Sequence, residues 1–223
     1  MGKTAIILGA TGLTGSQLLE LTLNDSFYDK VIVFGRSTLN MTHPKLEEHI
    51  INVLELEDEV HKFKGDVVFC CIGTTKSKTP DKEKYKAIDY GIPVTAAKLC
   101  KMNNVPCYAV MSSLGADANS NIFYSRIKGE MEDAVFKQAL PKTYILQPSI
   151  ITGDRNEKRL GESIAKGLMK TIKPLLVGSL KKYRPISSNV IARAMASLPK
   201  GNWPSGIISS QDIHKIASND HRN

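Results

Sequence analysis

The sequence lacks the long apolar segments that membrane proteins need. No apolar run in its 223 residues approaches the roughly 18 residues of a membrane-spanning helix, so no integral membrane segment is expected. The stretch from Met1 to Leu8 has only about five apolar side chains before Gly9, too few for the core of a signal peptide. Ile6 stands where N-myristoylation would require serine or threonine.

Cysteine is scarce, and its spacing is unsuited to metal binding. No two of the four cysteines form a C-x-x-C pair, and no histidine lies at zinc-ligand spacing from them. We therefore expect no metal site, small buried thiols in a reducing compartment and a cytoplasmic protein. Cys70 and Cys71 are adjacent in an apolar run, so their side chains should point to opposite faces of a strand.

Acidic residues are few in the last third, and the chain as a whole carries a net charge of +8. Residues 157–223 hold 12 basic and 4 acidic side chains, whereas residues 1–156 hold 18 of each. The excess fits a nucleic acid, a membrane surface or a small anionic ligand. Because aromatic and basic residues do not interleave there, we expect no nucleic-acid partner. A solvated basic face and steering of an anionic cofactor or acidic substrate both stay open.

Apolar runs alternate with helical patterns along the first 150 residues. Continuous apolar strands indicate burial on both faces, and their alternation with helices indicates a parallel sheet with right-handed crossovers. We therefore predict an α/β fold of the Rossmann type, a doubly wound parallel sheet in strand order 3-2-1-4-5-6 with a seventh strand. The predicted strands are Thr4–Leu8, Val31–Phe34, His49–Val53, Asp66–Ile72, Val105–Met111, Lys142–Gln147 and Gly206–Ser209. The predicted helices are Leu13–Leu23, Glu55–Phe63, Tyr85–Asn103, Tyr124–Ala139, Leu160–Ile172, Ser188–Leu198 and Gln211–Ala217.

A glycine cluster joins the first strand to the first helix. Gly9, Gly12 and Gly15 form a G-x-x-G-x-x-G pattern there. Glycines at such a junction permit a tight turn, close approach of the backbone to a pyrophosphate and close packing of helix on strand. The phosphates then lie at the positive end of the helix dipole. The spacing differs from the commoner G-x-G-x-x-G, and a plain structural turn is the alternative.

The end of the second strand bears on the choice between NAD and NADP. An acidic residue at this point binds the ribose 2′-hydroxyl of NAD, whereas an arginine accommodates the 2′-phosphate of NADP. The strand ends in Gly35-Arg36-Ser37, without aspartate or glutamate. Arg36 and Ser37 therefore favour NADP, with NAD as the less favoured cofactor and a solvated arginine as the alternative.

Tyr124 and Lys128 are four residues apart in a predicted helix, shortly after the Ser112-Ser113 end of the fifth strand. At this spacing both side chains project from one face of the helix. An ammonium group stabilises a neighbouring phenolate, so the tyrosine can exchange a proton with a substrate oxygen while a nicotinamide exchanges hydride. A serine hydroxyl from the strand end can hydrogen-bond the substrate carbonyl. An amphipathic surface pair is the alternative.

These segments together resemble the short-chain dehydrogenase/reductases. The narrower resemblance is to the atypical branch that contains the Tat-interacting oxidoreductase-like proteins and their fungal mitochondrial and bacterial relatives. It rests on GATGLTG at 9–15, GRS at 35–37, CCIGTT at 70–75, SSLGADANSNIFYSRIKGEME at 112–132 and QPS at 147–149. It covers the chain from end to end, and the 112–132 segment is its most specific part.

The resemblance implies an NADP-dependent oxidoreductase that transfers hydride to or from a small carbonyl or alcohol substrate, and the basic last third leaves an anionic substrate open. An NADP(H)-binding redox sensor or scaffold without turnover, with a protein partner, is the alternative. The implied catalytic residues are Ser113, Tyr124 and Lys128, with Ser112 as the other candidate serine. The implied cofactor-binding residues are Gly9, Thr11, Gly12, Leu13, Thr14, Gly15, Arg36, Ser37, Cys71, Ile72, Gly73, Ser112, Tyr124, Lys128, Pro148, Ser149 and Ile150.

The organisation expected from these features is one nucleotide-binding domain over residues 1–223. Residues 1–150 would form the dinucleotide-binding core, and residues 151–223 a small substrate lobe with the last strand and helix. An apolar fraction of 42% with 23% charged residues is ordinary for such a folded domain. Gln147 and Ser149 stand where relatives usually have arginine and glycine.

Overall fold

The computed structural model describes residues 2–153 and 183–219, in which strands and helices alternate. The strands are β1 (Lys3–Leu8), β2 (Tyr28–Gly35), β3 (Leu46–Ile50), β4 (Val67–Cys70), β5 (Cys107–Met111), β6 (Lys142–Gln147), β7 (Ile151–Thr152), β8 (Ile186–Ser187) and β9 (Gly206–Ser209). The α-helices are α1 (Leu13–Leu23), α2 (Lys82–Lys86), α3 (Ile92–Met102), α4 (Phe123–Phe136), α5 (Ser188–Ser197) and α6 (Ser210–Asn219). A 3₁₀ helix (Val53–Glu59) follows β3, and a π-helical segment (Ala87–Gly91) joins α2 to α3.

Seven of the described strands form one parallel sheet in the order β3-β2-β1-β4-β5-β6-β9. This confirms the predicted Rossmann-type order and the seventh strand. The strand order reverses between β1 and β4, and ligands of such sheets bind outside the carboxyl ends of the strands at that point. The glycine loop after β1 and the segment after β4 therefore flank the expected ligand crevice.

The sheet is buried on both faces, which explains its continuous apolar strands. Ile7 packs in a core with α1, α5 and α6, whereas its neighbour Ile6 packs in a second core with the 3₁₀ helix, α3 and α4. Cys70 lies in the second core and Cys71 packs against the first, so the two thiols point to opposite faces as predicted. All four cysteines are free, and burial raises the pKa of the Cys107 thiol to about 12.

The third strand lies three residues earlier than the predicted His49–Val53. It spans Leu46–Ile50 and pairs in parallel with β2 only, at the edge of the sheet. An edge strand needs less apolar surface, so the polar sequence LEEHI lacks the apolar pattern from which a strand is predicted. The side-chain oxygen of Asn52 accepts the Leu54 N–H (3.2 Å) and caps the 3₁₀ helix, which ends the strand before Val53.

The predicted continuous helix Tyr85–Asn103 is interrupted by the π-helical segment. Pro93 has no N–H to donate to the carbonyl of Asp89, so the regular four-residue hydrogen bond cannot form there. The Ile92 N–H donates instead to the carbonyl of Ala87, five residues earlier. π-Helical turns often lie at functional sites, and this one carries the fully buried Asp89.

The chain returns to the main sheet through α5, β9 and α6. β7 and β8 form a separate parallel pair beside the start of α1. A Cβ on Gly153 would lie 2.7 Å from the Ser188 hydroxyl and 2.9 Å from a methyl group of Leu13, which shows how closely this part packs. The predicted helix Leu160–Ile172 and much of the basic region lie outside the described residues. No described helix combines the length and the apolar character that crossing a bilayer requires.

Candidate active site

The glycine loop folds back on the first turn of α1. Gly9 has a φ of +84°, and a Cβ there would lie 3.0 Å from the carbonyl carbon of Cys71 beyond β4. A Cβ on Gly15 would lie 2.1 Å from the carbonyl oxygen of Gly9, far inside van der Waals contact. The Gly12 N–H donates to that same oxygen (2.9 Å). The loop is therefore as tight as the predicted phosphate-binding turn requires.

The first turn of α1 presents its backbone N–H groups without a side-chain cap. Gly12 is the N-cap residue and has no side chain to accept from them, and no acidic residue lies in this turn. Thr11 is exposed, Leu13 is half-buried and Thr14 is buried. Uncapped N–H groups at the positive end of a helix dipole bind phosphate. The loop thus fits the pyrophosphate of a dinucleotide.

Arg36 and Ser37 follow β2 at the same edge of the sheet, and both are exposed. The Arg36 guanidinium is paired with no carboxylate in the described ranges 2–153 and 183–219. The neighbouring carboxylate of Glu48 is engaged elsewhere, because it accepts the Leu39 N–H (2.7 Å) and the Thr38 hydroxyl (3.4 Å). Arg36 is therefore available to an anionic group at this edge.

Cys71, Ile72 and Gly73 continue from β4 along the other side of the crevice. The Cys71 N–H donates to the carbonyl of Leu8 (2.9 Å) and holds this segment beside the glycine loop. Cys71 and Ile72 are half-buried, and Gly73 is exposed. A Cβ on Gly73 would lie 3.5 Å from a carboxylate oxygen of Asp89, so the segment borders directly on that buried group.

Tyr124 and Lys128 lie on one face of α4, as their spacing predicts. The Tyr124 side chain is 40% exposed, whereas Lys128 is buried with its ammonium 3.4 Å from the carbonyl oxygen of Met111 at the end of β5. Gly129 brings the helix against the loop after β5, because a Cβ there would lie 2.1 Å from the backbone nitrogen of Ala118. This contact fixes the helix beside the carboxyl end of β5.

Asp89 forms an ion pair with Lys128, and this role of Asp89 was not predicted from the sequence. The Lys128 ammonium lies 2.8 Å from one carboxylate oxygen of Asp89, with both side chains almost fully buried, and the other oxygen accepts the Thr74 N–H (2.7 Å). Burial alone would lower the pKa of Lys128, but the Asp89 carboxylate, together with Tyr124, raises it above its usual value. The feature of the sequence that could have indicated Asp89 is its place four residues before Pro93 in an otherwise helical pattern.

The two serines after β5 have different surroundings. The Ser112 hydroxyl donates to the buried Glu132 carboxylate, which also accepts from the Gln147 amide nitrogen (3.0 Å to each oxygen). Burial raises the pKa of Glu132 despite these hydrogen bonds. The Ser113 hydroxyl is buried and has no hydrogen-bond partner among the residues described. Because an unsatisfied buried hydroxyl costs free energy, Ser113 is the serine that a ligand oxygen would satisfy.

Pro148, Ser149 and Ile150 follow β6. Pro148 and Ser149 are buried, whereas the Ile150 side chain is 53% exposed. The Ser149 hydroxyl donates to the carbonyl of Arg184 and accepts from the Ser210 hydroxyl (3.3 Å). This hydroxyl therefore joins β6 to the returning chain. Because the Ser149 N–H also donates to the Ser210 hydroxyl (3.4 Å), a cofactor contact at Ser149 would have to use its backbone carbonyl.

Comparison with known proteins identifies the family of the chain. The model of a family described as NAD(P)H-binding matches residues 9–171. The chain is 32% identical over 225 residues to "Protein FMP52, mitochondrial" of Candida albicans, covering 96% of this chain and 86% of that protein. It is 31% identical over 168 residues to "Protein HTATIP2" of Rattus norvegicus, covering 74% of this chain and 69% of that protein.

Solved structures with this fold include nucleotide-sugar enzymes. WbmH of Bordetella bronchiseptica, solved with NAD⁺, superposes with a TM-score of 0.70 at 16% identity, over 94% of this chain and 76% of that chain. The UDP-Glc/GlcNAc 4-epimerase of Campylobacter jejuni superposes with a TM-score of 0.66 at 14% identity, over 96% of this chain and 82% of that chain. At these identities the likeness establishes the fold and nothing finer.

The expectation of a cytoplasmic protein is contradicted by the relatives. The fungal proteins to which the chain is similar, including those of Candida albicans, Scheffersomyces stipitis and Aspergillus niger, are named as mitochondrial. The expectation had rested on reduced cysteines, and free buried thiols do not distinguish one reducing compartment from another.

Proposed function

The chain belongs to the NAD(P)H-binding family of atypical short-chain dehydrogenase/reductases, and from this we propose an NADP-dependent oxidoreductase acting on a small carbonyl or alcohol. One observation carries the proposal. The exposed Tyr124, the buried ammonium of Lys128 and the unpartnered hydroxyl of Ser113 converge at the carboxyl end of β5, in the sheet that carries the glycine loop.

The residues of the crevice suit an NADP molecule. The loop at 9–15 would hold the pyrophosphate with backbone N–H groups, and Arg36 with Ser37 would hold the 2′-phosphate. Residues 71–73 would border the adenosine half, and residues 148–150 the nicotinamide half. When bound, the nicotinamide supplies or accepts the hydride.

Proton transfer in this proposal belongs to Tyr124. Its hydroxyl donates the proton to the substrate oxygen during reduction and takes it back during oxidation. The Lys128 ammonium stabilises the phenolate that forms, and the Ser113 hydroxyl donates a hydrogen bond to the same substrate oxygen. An exposed tyrosine above a buried cation gives the substrate access to the acid while keeping water away from the charge.

Arg36→Ala should reduce the preference for NADPH over NADH. Loss of a charge-assisted contact to phosphate is expected to weaken NADPH binding about 10- to 100-fold and to leave NADH binding unchanged. Titration of both cofactors by calorimetry measures this. Lys98→Ala removes one positive charge from an exposed site on α3 and should change neither affinity. Equal loss of NADPH and NADH affinity in Arg36→Ala would contradict the assignment of the 2′-phosphate.

Ser113→Ala and Ser112→Ala should have opposite consequences. Ser113→Ala removes an unsatisfied hydroxyl, so thermal stability should hold or rise while turnover falls roughly 10²-fold. Ser112→Ala removes a donor to buried Glu132, so stability should fall by about 1–3 kcal/mol while turnover per folded molecule is retained. Melting temperatures and initial rates of the two variants separate these outcomes, and a reversed pattern would assign catalysis to Ser112.

Hydride transfer itself is tested with an isotope. NADPH carrying deuterium at both C4 positions of the nicotinamide ring is incubated with the protein and a panel of aldehydes and ketones, because the reduced carbonyl carbon keeps the transferred deuterium. Deuterium in the reduced product, detected by mass spectrometry, supports the proposal. Tight NADPH binding with no transfer to any member of the panel would instead support a cofactor-sensing protein.

A further inference from the structure

We propose that Asp89 is a positioning residue that keeps the Lys128 ammonium charged and directed towards Tyr124. The inference rests on the proposed function, since it concerns the same site. It assigns a role to a side chain outside the Ser113–Tyr124–Lys128 set, on a different helical segment from the two residues it serves.

Two helical segments meet at the site with matching spacing. Tyr124 and Lys128 are four residues apart on α4. Tyr85 in α2 and Asp89 in the π-helical segment that follows it are also four residues apart. The rings of Tyr85 and Tyr124 pack edge to face with centroids 6.1 Å apart, and the charges of Asp89 and Lys128 pair at 2.8 Å. The aromatic contact and the ion pair are one helical turn apart on α4, so the buried charges lie next to Tyr124 along the helix.

Asp89 is itself held on two sides. Its second carboxylate oxygen accepts the Thr74 N–H (2.7 Å) from the segment after β4, and its backbone belongs to the π-helical turn that precedes Pro93. A rigid carboxylate leaves the buried ammonium little freedom of position. The Met111 carbonyl, 3.4 Å from the ammonium, adds a contact from β5.

The charge of Lys128 depends on Asp89 more than on any other facing group. Among the residues that the structure describes, the ionisable groups around the ammonium are Asp89 on the π-helical segment, Tyr124 and Glu132 on α4, and Cys70 on β4. Of these only Asp89 forms an ion pair with it, and Glu132 is bound by Ser112 and Gln147. Without the Asp89 charge, burial would dominate and favour the neutral amine.

The decisive measurement is the titration of Lys128 in the protein without cofactor. Lysine labelled with ¹³C at the carbon next to the amine reports the charge by NMR, and the Lys128 signal is assigned by its loss in Lys128→Arg. In the wild type the signal should stay in the charged position across the pH range in which the protein is folded. In Asp89→Asn its midpoint should move roughly three pH units below that of an exposed lysine. A Lys128 that remains charged as in the wild type would overturn the proposal.

Asp25→Asn is the matched control. Asp25 pairs with Lys200 at the same distance of 2.8 Å, but this pair is partly exposed and lies outside the crevice. Its removal should leave the Lys128 signal unchanged. Turnover of Asp89→Asn should fall more steeply with rising pH than that of Asp25→Asn, because only the first variant loses the ammonium charge as pH rises. A loss of turnover that is equal at all pH values would indicate a merely structural role and would also overturn the proposal.

If Asp89→Asn alone fails to fold, the double variant Asp89→Asn/Lys128→Met decides. Removing both charges eliminates the uncompensated buried ammonium, so the double variant should fold. A double variant that also fails to fold would overturn the proposal. The NMR titration needs neither cofactor nor substrate. A lack of turnover would therefore contradict the proposed function but would leave the titration of Lys128 as a separate test of Asp89.

Discussion

Tyr124→Phe is expected to lower turnover by about 10²–10⁴-fold, the contribution of a positioned general acid, while NADPH binding stays nearly intact. The phenyl ring keeps the edge-to-face contact with Tyr85, and Lys128 keeps its ion pair with Asp89. Only the proton donor is lost. Single-turnover rates with the best substrate of the panel, together with an NADPH titration, measure the two effects separately.

Tyr90→Phe is the matched control for this prediction. Tyr90 lies in the π-helical segment, and its half-buried ring contacts the Lys86 side chain. Removal of its hydroxyl should therefore change neither turnover nor affinity. Wild-type turnover in Tyr124→Phe would exclude Tyr124 as the acid, and a parallel loss of NADPH affinity would show that its hydroxyl binds the cofactor instead.

Gly15→Ala is expected to abolish cofactor binding and to destabilise the fold by roughly 3 kcal/mol or more. The added Cβ would lie 2.1 Å from the Gly9 carbonyl oxygen, which is backbone and cannot rotate away. Gly9 in turn is confined by the Cys71 backbone, 3.0 Å from its own Cβ position. The clash must therefore displace the loop that would hold the pyrophosphate. Urea unfolding and NADPH titration measure the two losses.

Gly91→Ala provides the comparison at an open position. The nearest atom to a Cβ there, the Lys86 carbonyl oxygen, is 3.9 Å away, and the residue is helical. This substitution should be neutral or slightly stabilising, because alanine is the better helix former by up to about 1 kcal/mol. NADPH binding by Gly15→Ala with wild-type affinity would mean that the cofactor does not use this loop.

The sheet could be predicted because its strands are buried on both faces. Runs such as that around Ile6 and Ile7 must be apolar throughout to fill two cores, and this pattern survives in the sequence. Right-handed crossovers then restrict the strand order to few solutions. The prediction was wrong at Leu46–Ile50, where a single neighbouring strand removes the need for apolar residues, and the short pair β7–β8 was not predicted.

The candidate site was predictable where function depends on local spacing. The glycines at 9–15 act within one turn, and Tyr124 with Lys128 act within one helical repeat, so the sequence alone indicates both. The choice between Ser112 and Ser113 was not predictable. It depends on the position of Glu132, twenty residues away, which accepts the Ser112 hydroxyl and leaves Ser113 without a partner.

The sequence by itself determined the fold class and the family of this protein, because both follow from periodicity and from motifs confined to short segments. The strand order then followed from the fold class. Only the tertiary structure revealed the ion pair of Asp89 and Lys128 and the hydrogen bonds around Glu132. These contacts join residues from separate helices and strands. Their strength depends on the burial of charged and polar groups that the fold brings together, and no local pattern in the sequence shows which residues will meet.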